Sequence, residues 1–212
     1  MNERKIKVLM VDDHVVARSG IRLMLSTAED LEVVGEASSV AEALRAASEH
    51  YADVALVDIN LPDGSGIDLI KPLRELNPRL AVLMLSMYSE EVYAVRAFKS
   101  GASGYLTKSH PVADMVAAVR RAAAGGKYVS PVLMEKLAGM LGGESAGTHE
   151  ALTNRELDVM RRIAVGESLV SIAEALGLSP STVTTYRSRV LDKMGMKSNA
   201  ELSRYALEND LV

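Results

Sequence analysis

The chain has 212 residues, 48% of them hydrophobic and 25% charged, with a formal net charge of −4. That is enough for one large or two small cores, and the charge excludes a broadly basic nucleic-acid surface while leaving room for a local basic patch. There is no cysteine, so disulfides and thiolate metal sites are excluded, and one phenylalanine, seven tyrosines and no tryptophan make base stacking on aromatic platforms a poor binding mode.

From residue 5 to about 125, short apolar runs alternate with amphipathic stretches. The runs predict strands over about 5–11, 31–37, 53–57, 80–85 and 103–106, and the three-to-four spacing of apolar residues predicts helices over about 15–28, 39–50, 65–77, 90–100 and 112–125. Five such units imply an α/β fold, a doubly wound five-stranded parallel sheet with right-handed crossovers. Residues 1–126 form this first domain. A short apolar segment, Val132 to Ala138, and a Gly-, Ser- and Ala-rich stretch to Glu150 then make 127–151 a linker with a short helix.

Residues 152–212 read as a second, all-α domain. Thr153 N-caps its first helix, with Glu156 as capping-box partner and Leu152 and Leu157 placed as a hydrophobic staple. A second helix over about 168–176 ends at Gly177. Ser179 then caps a third, 180–194, with Pro180 at its first position, and a fourth covers about 198–208. Residues 168–194 are thus helix, tight turn, helix. The N-terminal apolar run is too short for a signal-peptide core and no run approaches a membrane span, so a cytoplasmic protein without a membrane partner is expected.

Charge stands in unusual places. Asp12 and Asp13 follow the first strand and Asp58 ends the third. Strands of a parallel sheet are buried on both faces, so carboxylates belong at their C-terminal edges, where open α/β folds place ligand sites. Three converging carboxylates repel, and a shared proton or a hard divalent cation such as Mg²⁺ relieves that repulsion, so a metal-binding acidic pocket is expected. Ser86 ends the fourth strand and Lys108 follows the fifth, on the same edge. A carboxylate there, Asp58, can accept a phosphoryl group while a cation, a lysine and a hydroxyl hold its oxygens. The four histidines show no metal-ligand spacing.

With these motifs in view, residues 1–126 resemble the receiver domain of two-component response regulators, a flavodoxin-like fold. Residues 152–208, through Leu152 to Glu156, the run from Ile172 to Val183 and Leu191 to Gly195, resemble the NarL/FixJ (LuxR-type) helix-turn-helix domain. The resemblance implies a phosphorylation-controlled transcription regulator served by a sensor histidine kinase. It implies Asp58 as phosphoacceptor, with Asp13, Asp58 and the Asn60 carbonyl as Mg²⁺ ligands and Asp12 acting through water. Ser86, Tyr105 as aromatic switch and Lys108 are the implied phosphoryl-responsive residues. The chain departs from the family in having Ser109 and His110 between Lys108 and Pro111.

The third helix is expected in the major groove of double-stranded DNA. Val183, Tyr186, Val190 and Met194 share one face and read as core. Thr184, Thr185 and Ser188 are left for base edges, while Thr182, Arg187, Arg189, Lys193 and Lys197, with Arg155 nearby, suit phosphates. Tyr186 stands where many relatives have histidine, and neither 184 nor 188 is lysine. One small domain offers modest contact area, so a homodimer on DNA is expected, with the last helix a family-implied interface. An aspartyl phosphatase is the first alternative, but it needs a second acid at position 60, which is Asn60. A dinucleotide enzyme needs a glycine-rich first turn, and the chain has Asp12-Asp13-His14 there. A module whose helical half only docks protein is the other alternative.

Overall fold

The computed structural model describes residues 4–87, 90–130, 134, 148–209 and 211–212. They fall into two compact units, Met1–Met134 and Glu135–Val212.

In the first unit β1 (Ile6–Val11), β2 (Leu31–Ala37), β3 (Val54–Asp58), β6 (Ala81–Ser86) and β7 (Gly104–Thr107) form one parallel sheet in the order β2-β1-β3-β6-β7. The two central strands β3 and β6 are buried at every position. That is why they stand out in sequence as unbroken apolar runs. Helices α1 (Val15–Ser26) and α5 (Val112–Ala123) cover one face through Ile21, Leu25, Met115, Val116 and Val119, packed with Val8, Met10, Leu56, Leu83 and Leu85. The helices α2 (Val40–Glu49), α3 (Gly66–Leu76) and α4 (Glu90–Lys99) pack in series with one another, α2 against β2 and α4 against β7.

Two elements were not expected: β4 (Asn60–Leu61) and β5 (Gly64–Ser65), an antiparallel pair closed by Pro62-Asp63. Two-residue strands are too short to show a period. They form because the Asp63 carboxylate accepts from the Val40 and Ala41 amides at 2.7 and 3.0 Å, fastening the turn to the start of α2.

The second unit opens with a 3₁₀ turn (Thr148–Ala151) and continues through α6 (Asn154–Ala164), α7 (Leu169–Ala175), α8 (Pro180–Met194) and α9 (Asn199–Glu208). Each helix is N-capped by a hydroxyl, from Thr153, Ser168, Ser179 and Ser198, and Thr153 with Glu156 completes the capping box. Such a cap is worth about 1 kcal/mol. Gly177 and Gly195 take φ of 63° and 66°, closing the turns after α7 and α8. Leu152, Leu157, Met160, Ile163, Ile172, Val183, Val190 and Leu202 are buried as the shared core. The short helix expected within 132–138 lies, apart from Met134, outside the described residues.

Candidate functional sites: an acidic pocket and a basic helix

The register of β1 against β3 pairs Val11 with Val57, so Asp12 and Asp58 leave the sheet side by side. Asp12 is 2% and Asp58 4% exposed, and Asp13 is half-buried. Behind Asp58 the chain must pass close. The Gly66 amide donates to the Ile59 carbonyl at 2.7 Å, and a Cβ at Gly66 would come within 1.9 Å of the Asp58 carbonyl oxygen. Only glycine fits there.

Lys108 enters from the loop after β7. Its amide donates to the Ser86 carbonyl at 2.7 Å, and its Nζ lies 2.6 Å from Asp58 Oδ2 and 2.8 Å from Asp12 Oδ2. The intervening residues Ser109 and His110 build a tight turn in which the Thr107 amide donates to His110 Nδ1 at 3.0 Å and the His110 amide donates to the Thr107 carbonyl at 3.0 Å. With this turn following it, Lys108 still reaches both Asp58 and Asp12. Burial pushes the Asp58 carboxyl up to about 6; Lys108 pulls it down, and Asp12 and Asp13 add to the rise. Burial also works against the Lys108 ammonium, but Asp58 and Asp12 outweigh it and hold the group above its ordinary value.

Ser86 is 1% and Tyr105 0% exposed. Tyr105 pairs in register with Met84 and Thr107 with Ser86, so Ser86 and Tyr105 project to the same side of the sheet. The Asp12-Asp13 turn is gripped from outside: Arg18 donates to the Asp12 carbonyl and its Nε lies 2.8 Å from Glu36 Oε2.

The donor set suits a divalent cation. One ligand atom each from Asp12, Asp13, His14 and Asp58 falls within 4.8 Å of the others. Asp12 Oδ2 lies 2.8 Å from Lys108 Nζ and Asp13 Oδ1 2.8 Å from His14 Nδ1, while Asn60 Oδ1 is buried without a hydrogen-bond partner. Three carboxylates against one ammonium leave an excess of negative charge that a divalent cation would offset. His14, which sequence reasoning did not place at the pocket, has its Nδ1 2.8 Å from Asp13 Oδ1.

On α8, Val183 and Val190 are fully buried and Met194 nearly so, but Tyr186 departs from the expected core face. It is half-exposed and lines a depression of about 240 Å³ with Ser181, Thr182, Thr185 and Arg189. The hydroxyls of Thr184 and Thr185 donate back to the Pro180 and Ser181 carbonyls at 2.9 and 3.0 Å, which leaves methyl groups and acceptor lone pairs facing outward. Thr182 is held by the Ser179 hydroxyl at 2.8 Å.

The basic residues divide. Arg189, Lys197 and the polar Ser188 are exposed. Arg187 Nε donates to Asn199 Oδ1 at 2.7 Å. Lys193 Nζ lies 2.6 Å from Glu156 Oε2, an oxygen that also accepts from the Thr153 amide, so this lysine ties α8 to the capped start of α6. Arg155 likewise turns inward, donating to the Leu176 carbonyl at the end of α7.

The family "Response regulator receiver domain" matches residues 8–120, and "Bacterial regulatory proteins, luxR family" matches residues 150–206. The chain is 35% identical over 209 residues to Response regulator GacA of Pseudomonas aeruginosa, covering 98% of each protein. It is 36% identical over 199 residues to Transcriptional regulatory protein UhpA of Escherichia coli, covering 94% of this chain and 96% of that one. RcsB of Salmonella enterica serovar Typhimurium, solved bound to promoter rprA with phosphomimetic BeF₃⁻, is similar in structure with a TM-score of 0.61 and 25% identity, covering 95% of this chain and 98% of that one. The acidic pocket at the strand edge and the capped helix-turn-helix are therefore joined in one known design: the chain belongs to the LuxR-type (NarL/FixJ) response regulators, two-component transcription regulators rather than enzymes, with a receiver domain and a helix-turn-helix DNA-binding domain.

Proposed function

We propose that a sensor histidine kinase phosphorylates Asp58 in the presence of Mg²⁺, and that the modified protein binds double-stranded DNA as a homodimer in the cytoplasm. The observation that carries this reading is the buried Asp58 carboxylate held 2.6 Å from Lys108 at the strand edge beside Asp12. In this reading residues 1–126 are the receiver, 127–151 the connection and 152–212 the DNA-binding domain.

Asp12, Asp13, Asp58 and the Asn60 carbonyl would hold Mg²⁺, which when bound neutralises the oxygens of an incoming phosphoryl group. An Asp58 oxygen attacks phosphorus. A P–O bond forms as the P–N bond of the donor phosphohistidine breaks, and the electron pair leaves on the imidazole nitrogen. Lys108, already at Asp58, meets one phosphoryl oxygen and the Ser86 hydroxyl another. Phosphorylation adds roughly −1.5 to −2 charges. Ser86 shifts toward them, and Tyr105 on the same side of the sheet follows, which biases a two-state equilibrium of the α4 and β7 surface.

In the output half Thr184, Thr185 and Ser188 meet base edges, and Thr182, Arg187, Arg189 and Lys197 meet phosphates, with Lys193 held back by Glu156. Two half-sites about 34–36 Å apart suit a symmetric dimer. A cytoplasmic location follows from the DNA partner, and among the described residues no helix is long and apolar enough to cross a membrane.

The test is incubation of wild type and Asp58→Asn with acetyl phosphate and Mg²⁺, followed by intact mass and a gel shift on promoter DNA. A phosphoryl adduct on the wild type alone, accompanied by tighter DNA binding, supports the reading. DNA binding equally tight with and without the adduct overturns it.

A further inference from the structure

The strand β7 is the last of the five-stranded sheet, so its outer edge offers backbone groups to any segment laid beside it. The chain itself supplies one. After α5 it turns back at Gly125, whose φ is 81°, with the Gly125 amide donating to the Ala122 carbonyl and the Gly126 amide to the Arg121 carbonyl, each at 2.9 Å. The Tyr128 amide then donates to the Ser103 carbonyl at 2.8 Å, and Tyr128 forms a parallel bridge with Gly104. The approach is close on both sides of Gly104: a Cβ there would come within 2.8 Å of the Tyr128 carbonyl oxygen and 2.7 Å of Leu83 Cδ2.

Lys127 adds a second stitch. Its Nζ donates to the Ala102 carbonyl at 2.5 Å and lies 5.9 Å from the centre of the Phe98 ring on α4. Tyr128 is half-buried against the core shared by α1 and α5. Residues 127 and 128 begin the connection to the helical unit. That connection is thus fastened at its root to α4 and to the strand in which Tyr105 follows Gly104.

We propose that this stitch is a latch on the connection: it holds residues 127 and 128 against β7 while Asp58 is unmodified, and phosphorylation loosens it. This rests on the proposed phosphorylation of Asp58 and the response of the α4 and β7 surface. A bridge one residue pair wide depends on the position of the strand it leans on, so a displacement of β7 around Tyr105 reaches the Tyr128 amide directly. One hydrogen bond shifts an equilibrium only a few-fold, a bias that a two-state switch can use and reverse. If the stitch merely anchors the end of α5, its loss lowers stability and leaves the response of DNA binding to phosphate as it was.

The full-length chain is followed before and after phosphorylation by hydrogen exchange of the Tyr128 amide, read by NMR. DNA affinity is measured in both states for wild type, Lys127→Ala and Tyr128→Pro, the last of which has no amide to donate. Exchange at Tyr128 is expected to be about fivefold faster in the phosphorylated wild type, and unmodified Tyr128→Pro to bind DNA about fivefold more tightly than unmodified wild type, with the gain from phosphate reduced by the same factor. Lys127→Ala replaces an exposed side chain, keeps the amide bond and moves in the same direction by a smaller step. If Tyr128→Pro fails to fold, Lys127→Ala and the wild-type exchange decide. Tyr128 exchange indifferent to phosphate, with both variants matching wild type on DNA, makes the stitch a static anchor and overturns the proposal, as does weaker DNA binding by the unmodified variants. A wild type that takes the phosphoryl group with no change in DNA affinity overturns the proposed function; the latch fails separately when DNA affinity answers to phosphate and neither the exchange nor the variants do.

Discussion

Lys108 Nζ and Asp58 Oδ2 meet at 2.6 Å although 50 positions separate the two residues in the chain. Each is nearly enclosed, with side chains 7% and 6% exposed. In the proposed reading Asp58 is the nucleophile, and its ionised form depends on its partner. In Lys108→Ala the opposing ammonium is gone while burial remains, so the carboxyl moves above its value of about 6 and a smaller fraction is ionised at neutral pH. Phosphorylation by acetyl phosphate, followed by intact mass, is expected to slow about tenfold, each 1.4 kcal/mol of lost stabilisation corresponding to one decade. A rate within a factor of about two of wild type would remove Lys108 from the transfer step.

Gly66→Ala tests how tightly the backbone of the pocket is packed. Its new Cβ would sit 1.9 Å from the Asp58 carbonyl oxygen and 2.9 Å from Val57 Cγ1, neither of which can swing aside like the end of a long side chain. The strand end must shift, at a cost of about 3 kcal/mol or more, and Asp58 shifts with it. Thermal unfolding of the receiver unit together with the phosphorylation rate checks this. Both fall if the approach is as close as described; a variant as stable as wild type contradicts it.

Tyr105 is fully buried on the same side of the sheet as Ser86. Tyr105→Ala should lose about 3–5 kcal/mol of receiver stability through the cavity it leaves. Tyr105→Phe retains the packing and separates switching from folding. In Tyr105→Ala the ratio of DNA affinities with and without phosphate is expected to approach one while the adduct still forms. Preserved coupling in a folded Tyr105→Ala protein excludes the ring from the switch.

Glu156 joins the α6 cap to α8, and its titration gives a pH signature. Burial would raise its carboxyl, but the Lys193 ammonium and the Thr153 groups outweigh burial and hold it below the ordinary 4.5. A depressed acid adds stability that is present above its ordinary value and is lost as pH falls through its folded value. Glu156→Gln keeps the acceptor and loses the charge. Because Lys193 is 38% exposed, the pair is discounted for solvent screening to about 1 kcal/mol at pH 7. Urea unfolding of the C-terminal unit should show that difference at pH 7 and none well below pH 4. A difference independent of pH would mean the charge is irrelevant.

The basic side chains of α8 are expected to behave unequally on DNA. Arg189→Ala or Lys197→Ala should each reduce the slope of log affinity against log salt by about 1, the signature of one lost phosphate contact. Lys193 is bound to Glu156, so Lys193→Ala should lower stability and leave the slope unchanged. A flat salt response for the wild type would favour a helical half that docks protein instead.

Much of this was legible from residue order because it is local or follows from two-sided burial. Val54 to Val57 and Ala81 to Leu85 are strands with no solvent face, so their apolar runs announce them, and the carboxylates that interrupt the pattern mark the sheet edge. Thr153 with Glu156, and Ser179 with Pro180, act within three residues of each other and are readable for that reason. The strand pair around Pro62-Asp63 was not, since it depends on amides of α2 more than 20 residues earlier.

The chain order by itself determined two domains, five parallel strands, a capped helix-turn-helix and the acids of the pocket, because these depend on periodicity, turn chemistry and strand ends. Only the tertiary structure decided that His14 turns toward the carboxylates, that Tyr186 lies outside the core, and that Lys193 is spent on Glu156, 37 residues away. A side chain's direction and partner are set by which surfaces the folded chain brings within a few ångströms, and spacing along the sequence carries no record of that distance.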